Sequence, residues 1–376
     1  MKFLMHSAMP LDVRMTEDKL EVHQNHNIGA LVHQYALWKT LECEENIIEF
    51  ANFFQFNNPI EDAKGLNEKY DCIVFSLGDF FRTDILKRDK FENILLLLQN
   101  LTIKVLVVGI GCRRRYWQSI ETYIKDLNVG EAIKSFVSEC LKHTNIIGIR
   151  GNDTATILNR LGFIENKDYY ICGCPSMFLN DDKLLIPTSV EWREDIKIAT
   201  NRNFNLGKKY PGALNFFHVN VLRYKNCDTI FTWYFDVLNN IHKTNKYGLT
   251  AVKPDYIYYK LLKYKYCLNI DEYFELLKNY DVCIGERMHG CAAAIAAGVP
   301  TIIGCMDYRM VELCEYHKIP YFNIANVNEN IDFKYLIQNI NFNSMHKVHK
   351  INFERYKYFF QMNEIPTKYG LKKENN

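Results

Sequence analysis

The feature that most constrains this chain is an alternation. Short apolar runs rich in Val and Ile recur between segments of helical period: "DCIVFSL" at 71–77, "KVLVVGI" at 104–110, "NIIGIR" ending at Arg150, "DVCIG" at 281–285 and "TIIGC" at 301–305. Runs that are apolar throughout suit strands buried on both faces, and helical segments between them suit crossover connections. The pattern therefore predicts an α/β fold with parallel sheets. In such sheets ligands sit beyond the carboxyl ends of the strands, where the next helices point their free N–H groups.

Local signals place the helices. "NHNIGALVHQYALWKTLECEE" offers Asn27 as an N-cap and sets Leu31, Tyr35, Trp38 and Leu41 on one face. Further helices are expected near 130–143, across "NDTATILNRLGF" with Asp153 and Thr154 at its cap, and across "NIDEYFELLKNY" from Asn269 or Asp271. "YYICGCPSMFL", "DIKIAT" and "ALNFFHVNV" read as strands. The length of 376 residues favours two domains. The first α/β unit is expected over 1–180 and the second over 195–345, joined by the patternless "DDKLLIPTSVEWRE" at 181–194. A tail over 346–376 has helical spacing that can pack back on the first unit. Residues 200–265, rich in Tyr, Asn and Lys, stay ambiguous.

Composition excludes some functions. With 48% apolar and 24% charged residues the chain is globular rather than disordered. Lys+Arg 46 against Asp+Glu 44 leaves a charge of +2, too balanced for nucleic acid or an acidic membrane surface as the main partner. The twelve cysteines are scattered, several of them inside apolar runs, which reads as reduced thiols in a reducing compartment. The N-terminus lacks the apolar core of a signal peptide, and no window approaches the roughly 18 apolar residues of a membrane span. A cytoplasmic protein is expected. His23, His26 and His33 come without companion carboxylates, so no metal is expected.

The chemistry concentrates in "DVCIGERMHGCAAAIAAGVPTIIGCMD" at 281–307, where Arg287 and His289 stand between an apolar strand and an alanine-rich helix. An arginine fork beside a helix N-terminus suits a carboxylate or phosphate. From spacing alone Arg287 can equally pair with Glu286 or Asp307, and His289 can be structural. Arg150 is either a second anion contact or an exposed base before a helix cap. Arg113–Arg115 either lines the cleft or forms a solvated loop. A dinucleotide reading of Gly109-Ile110-Gly111 fails, because the third glycine position is Arg114.

The run "ERMHGCAAAIAAGVPTIIGCMDYRMVELCE" resembles the C-terminal signature of the polysaccharide pyruvyltransferase family, with Arg287-Met288-His289 where the family has Arg-Leu-His or similar. "NIGALVHQYALWKTLE", "KVLVVGIG" and "IIGIRGNDTATILNRLGF" are similar to its opening helix, central strand and Arg-Asp segment. "SLGDFF" at 76–81 departs from the family's glycine-rich turn. The resemblance implies two Rossmann-like domains facing a cleft, of the glycosyltransferase-B type. It implies transfer of the pyruvyl group of phosphoenolpyruvate to two hydroxyls of a sugar as a cyclic ketal, without metal or cofactor. His289 would be the general acid or base and Arg287 the anion-binding group, with Arg150, Asn27, Gly29 and Met288 as substrate contacts. The partners implied are phosphoenolpyruvate and a glycan or lipid-linked oligosaccharide, with peripheral contact at the inner membrane face and a homo-oligomer both left open. The rivals are a nucleotide-sugar glycosyltransferase of the same fold and a glycan-binding protein without chemistry. The first is disfavoured because the second glutamate of many retaining members would fall on Ala294.

Overall fold

The computed structural model describes residues 1–7, 9–16, 27–86, 89–202, 211–232, 264–327 and 331–370. Most of the ambiguous 200–265 stretch, with His23 and His26, lies outside them. The first unit contains β1 (Lys2–His6), α1 (Ile28–Leu41), β2 (Ile47–Ala51), α2 (Pro59–Lys69), β3 (Cys72–Phe75), α3 (Thr83–Leu86), α4 (Asp89–Gln99), β4 (Lys104–Val107), α5 (Ile120–Lys125), α6 (Val129–Cys140), β5 (Ile147–Ile149), α7 (Asn152–Arg160) and β6 (Tyr169–Ile171). Its strands run parallel in the order β2-β1-β3-β4, and a parallel bridge between Ile110 and Ile149 carries the sheet on to the β5-β6 pair. The β3 and β4 residues are buried on both faces, apart from Lys104, which is what their unbroken apolar sequence requires.

The second unit contains β7 (Ile198–Thr200), α8 (Pro211–Arg223), β8 (Cys227–Phe231), β9 (Tyr264–Tyr266), α9 (Ile270–Leu277), β10 (Val282–Gly285), α10 (Met288–Ala296), β11 (Thr301–Cys305), α11 (Tyr308–His317), β12 (Tyr321–Asn323) and α12 (Phe333–Gln338). Its sheet is parallel throughout, in the order β12-β11-β10-β7-β8-β9. "ALNFFHVNV", read from sequence as a strand, belongs to helix α8. Phe216, Phe217, Asn220 and Val221 are buried at helical spacing, and a proline at the first helical position suits the first turn. Finally α13 (Asn343–Met362) returns to the first unit. Phe353, Tyr356, Phe359 and Phe360 enter the core formed by Phe3, Met5, Val74 and Leu106, and Tyr356 OH lies 3.0 Å from Thr40 Oγ1.

Helix α1 joins the two units. Asn27 Oδ1 accepts from Ala30 N at 3.2 Å, so the expected cap is present. The single apolar face expected of this helix is too narrow, because both units cover it. Leu37 and Leu41 pack into the first core, while Ile28 and Val32 pack with Ala293 and Ala294 of α10. The approach is close: a Cβ on Gly29 would lie 3.5 Å from the Gly290 nitrogen and 3.3 Å from Thr232 Cβ. Ala292, Ala293 and Ala294 are fully buried, so α10 can sit against both its own sheet and α1.

Candidate active site at the domain junction

The carboxyl ends of both sheets face this junction, and their turns supply its charged groups. The turn after β3 bends at Gly78 (φ +53°), where a Cβ would stand 3.2 Å from Arg150 Nη2 and 3.8 Å from His289 Cε1. A positive φ at no steric cost is what glycine provides there. The next residue, Asp79, is placed among arginines. Arg309 Nη1 donates to its Oδ2 at 2.6 Å, and Arg113 and Arg82 lie 3.6 and 3.7 Å away. Burial alone would push the Asp79 carboxyl up, but Arg309, Arg113, Arg82 and Arg150 outweigh it and hold it well below the usual carboxylate range.

Across the junction Asp307, fully buried, caps α11 through Met310 N at 3.2 Å. Its carboxylate also lies 3.4 Å from Arg309 Nε, 3.6 Å from Arg113 Nε and 3.9 Å from Arg115 Nη1. Five arginines (82, 113, 115, 150 and 309) therefore gather around Asp79 and Asp307, with Arg82 also held by Asp84, which still leaves a local excess of positive charge in a nearly neutral chain. Burial and Arg309 push the Arg113 guanidinium down to about 10. The basic run at 113–115 divides by role. Arg113 and Arg115 join this cluster, whereas Arg114 pairs with Asp153, donates to the Gln118 carbonyl at 2.6 Å and stacks 3.5 Å over the Tyr308 ring.

Arg150 is not the exposed base that was one of its two sequence readings. It is 1% exposed, and its Nε donates to the Gly109 carbonyl at 3.2 Å. Its Nη2 is buried with no hydrogen-bond partner, and among the described residues no carboxylate lies within 4 Å of it. The cap expected from Asp153 and Thr154 is supplied instead by the other unit. Glu312 of α11 accepts from Thr154 N at 2.8 Å and from Thr154 Oγ1 at 3.0 Å. Burial pushes the Glu312 carboxyl up to about 8, against the pull of the Thr154 amide.

His289 lies in the first turn of α10. Its Nε2 is enclosed and without a partner, and its ring stacks on His33 with centroids 5.5 Å apart. Burial, reinforced by Arg150 and Arg309 and opposed by Asp79, pushes the imidazole down to about 3, so it is neutral in the free protein. His33 is likewise held well below its ordinary value, by burial first and then by His289 and Arg150. The His33 Nδ1 is 3.3 Å from Cys174 Sγ, and the donor atoms of His33, Cys174 and His289 lie within 4.8 Å of one another. These three could hold a metal ion, a grouping that sequence spacing did not suggest.

The remaining residues singled out from sequence fall elsewhere. Arg287 takes the N-cap position of α10. Its backbone N donates to Asn201 Oδ1 at 3.0 Å and its Nε to the Arg202 carbonyl at 3.2 Å. Arg150 and Arg309, rather than Arg287, are the arginines whose charge acts on the His289 ring. Met288 is 5% exposed and belongs to the apolar core of the second unit, and Asn27 and Gly29 form the α1 cap and its contact with α10. Sequence reasoning missed Asp79, Arg309, His33 and Cys174 as site residues. Asp79 and Arg309 stood in the strand-end turns "SLGDFF" and "MDYRM", which was the available signal.

Two Rossmann-like domains whose sheet ends enclose a cationic cleft beside a neutral histidine have the glycosyltransferase-B architecture. The family model for polysaccharide pyruvyl transferase matches residues 27–308, and the chain belongs to that family. As a family member it is a pyruvyltransferase enzyme, and the family implies a glycan acceptor. No curated protein matches the sequence. Among solved structures it is similar to Staphylococcus aureus MnaA with UDP, at 13% identity and TM-score 0.47, over 98% of this chain and 92% of that one. It is also similar to UDP-GlcNAc 2-epimerase of Methanocaldococcus jannaschii, at 14% identity and TM-score 0.47, over 95% and 99%. No helix among the described residues is long and apolar enough to cross a membrane.

Proposed function

We propose that the protein transfers the pyruvyl group of phosphoenolpyruvate to two hydroxyls of a glycan, forming a cyclic ketal and releasing inorganic phosphate. The observation that carries this reading is the buried Arg150 guanidinium, which has an unpartnered Nη2 beside His289 and within an arginine cluster. A buried guanidinium that no carboxylate contacts is costly to keep desolvated, and an anionic ligand would offset that cost. A donor with both a carboxylate and a phosphate matches an excess of arginines better than a neutral sugar would.

In this mechanism Arg150, Arg309 and Arg113 hold the two anionic groups of the donor, and Asp79 and Asp307 keep the guanidiniums aligned. The neutral His289 accepts the proton of the first glycan hydroxyl as its oxygen attacks the central carbon of the enol. The methylene carbon takes up a proton from solvent, giving a methyl group and a tetrahedral phosphate-bearing intermediate. The C–O bond to phosphate then breaks with its electron pair leaving on the phosphate oxygen, which takes the proton held by His289, and the second hydroxyl attacks the same carbon and releases its proton to solvent. The donor's negative charge raises the proton affinity of His289 over that of the empty site, so the imidazole can return a proton within the cycle.

Calorimetric titration of phosphoenolpyruvate, with UDP-sugars as competitors, tests the donor, and phosphate release with a diol-bearing oligosaccharide tests the reaction. Saturable phosphoenolpyruvate binding that weakens in Arg150→Met, with release lost in His289→Ala, is expected. Binding of a UDP-sugar and none of phosphoenolpyruvate would overturn the reading in favour of glycosyl transfer.

A further inference from the structure

His33, Cys174 and His289 come from α1, from the turn after β6 and from α10, and the closing of the two units brings them together beneath the arginine cluster. Pyruvyl transfer as proposed uses only His289. The other two are held with care. Gly109 (φ +64°) lies where a Cβ would be 3.2 Å from His33 Cε1 and 3.0 Å from Pro175 Cδ, so a side chain there would displace both. Cys174 is fully buried, with Sγ 3.0 Å from Ser176 Oγ and its backbone N donating to His317 Nε2 at 3.5 Å. The Nε2 atoms of His33 and His289 are both enclosed and without a partner. Two buried imidazole nitrogens left unpaired beside a thiol constitute an unsatisfied donor set.

We propose that His33, Cys174 and His289 bind one thiophilic divalent cation, of which Zn2+ is the reference, and that this binding competes with transfer by occupying His289. Two imidazoles and a thiolate are donors that zinc and cobalt favour. A tetrahedral site with Zn–N near 2.0 Å and Zn–S near 2.3 Å separates two nitrogens and a sulfur by roughly 3.3–3.5 Å, so the trio, whose donors lie within 4.8 Å of one another, needs about 1 Å of side-chain movement. Binding releases the Cys174 thiol proton to solvent, forms one metal–sulfur and two metal–nitrogen bonds, and changes no oxidation state. Ser176 Oγ can then donate to the bound sulfur as an outer partner. A fourth position remains for water or an anion, and Arg150 and Arg309 would favour an anion there. The same arginines disfavour hard cations held by charge alone, so Mg2+ should not bind at this position.

The binding test uses the full-length, metal-free protein and no substrate, so it stands apart from the reading of the donor, on which only the competition test rests. Co2+ is titrated by absorbance, and Zn2+ by competition with a chromophoric chelator. A single equivalent with a thiolate-to-cobalt charge-transfer band is expected. The band should be absent in Cys174→Ser and unchanged in Cys43→Ser, and Zn2+ affinity should fall at least about tenfold in His33→Gln. No band in the wild type, or a band that persists in Cys174→Ser, would overturn the site. X-ray absorption of the zinc-loaded wild type reads the donors without any variant. One sulfur with imidazole nitrogens is expected, and an all-oxygen or sulfur-rich shell would refute it. Phosphate release should stop at one equivalent of Zn2+ and return with chelator; release unchanged at full occupancy would overturn the competition.

Discussion

Arg150→Met separates a ligand-holding arginine from a structural one. The guanidinium is 1% exposed, its Nε donates to the Gly109 carbonyl at 3.2 Å, and among the described residues no carboxylate lies within 4 Å of it. Burying such an ion costs several kcal/mol even after relaxation. The single charged hydrogen bond returns about 1.5–3 kcal/mol. The balance in the empty protein is unfavourable, so methionine, of similar length and without charge, should leave stability unchanged or raise it by about 1–3 kcal/mol. By differential scanning fluorimetry the ligand-free variant should melt at the same temperature or several degrees higher. Phosphoenolpyruvate affinity should move the other way. Removing one partner of a desolvated charge pair costs about 2–5 kcal/mol, a weakening of at least about 30-fold by calorimetry. If Arg150→Met destabilises the empty protein by more than about 2 kcal/mol while phosphoenolpyruvate binds as before, Arg150 is a brace for the Gly109 turn, and the reasoning fails.

Three further outcomes follow from the same geometry. Asp79→Asn removes the carboxylate that pairs with Arg309 and should cost about 3 kcal/mol of stability while strengthening inorganic phosphate binding; weaker phosphate binding would show that the arginines need Asp79 for alignment more than they suffer from its charge. Glu312, raised to about 8, contributes stability that is fully present below its ordinary value near 4.5 and is lost as pH rises through 8, at a slope of up to about 1.4 kcal/mol per pH unit between them. Glu312→Gln should therefore flatten the melting temperature between pH 5 and pH 9, roughly the window set by that shift, with the variant gaining on the wild type at the alkaline end; parallel curves would refute this. Gly285→Ala would drive a methyl into the Asn201 side chain, which anchors the Arg287 amide, and overpacking of this kind costs about 1–3 kcal/mol; a chemical-denaturation midpoint equal to that of the wild type would count against the tight fit.

Burial patterns that depend only on local sequence were legible. "DCIVFSL", "KVLVVGI" and "TIIGC" form central parallel strands because strands covered on both faces must be apolar throughout. Asn27 caps its helix because that cap is a contact three residues long. "ALNFFHVNV" misled because a short apolar run suits either period, and its partner surface, not its own sequence, selects helix.

What the sequence by itself determined is the α/β class and the strand-helix join that carries Arg287 and His289. The tertiary structure alone decided which groups meet. The Asp79–Arg309 pair spans 230 positions and the His33–Cys174 contact 141, and no spacing rule reaches across such distances. Arg150 is buried against the Gly109 turn with no carboxylate in contact only in the folded junction, and His289 is neutral only because that junction removes water and adds the arginines. Proton affinity and the cost of a buried charge are properties of an environment, and here that environment is assembled from both domains at once.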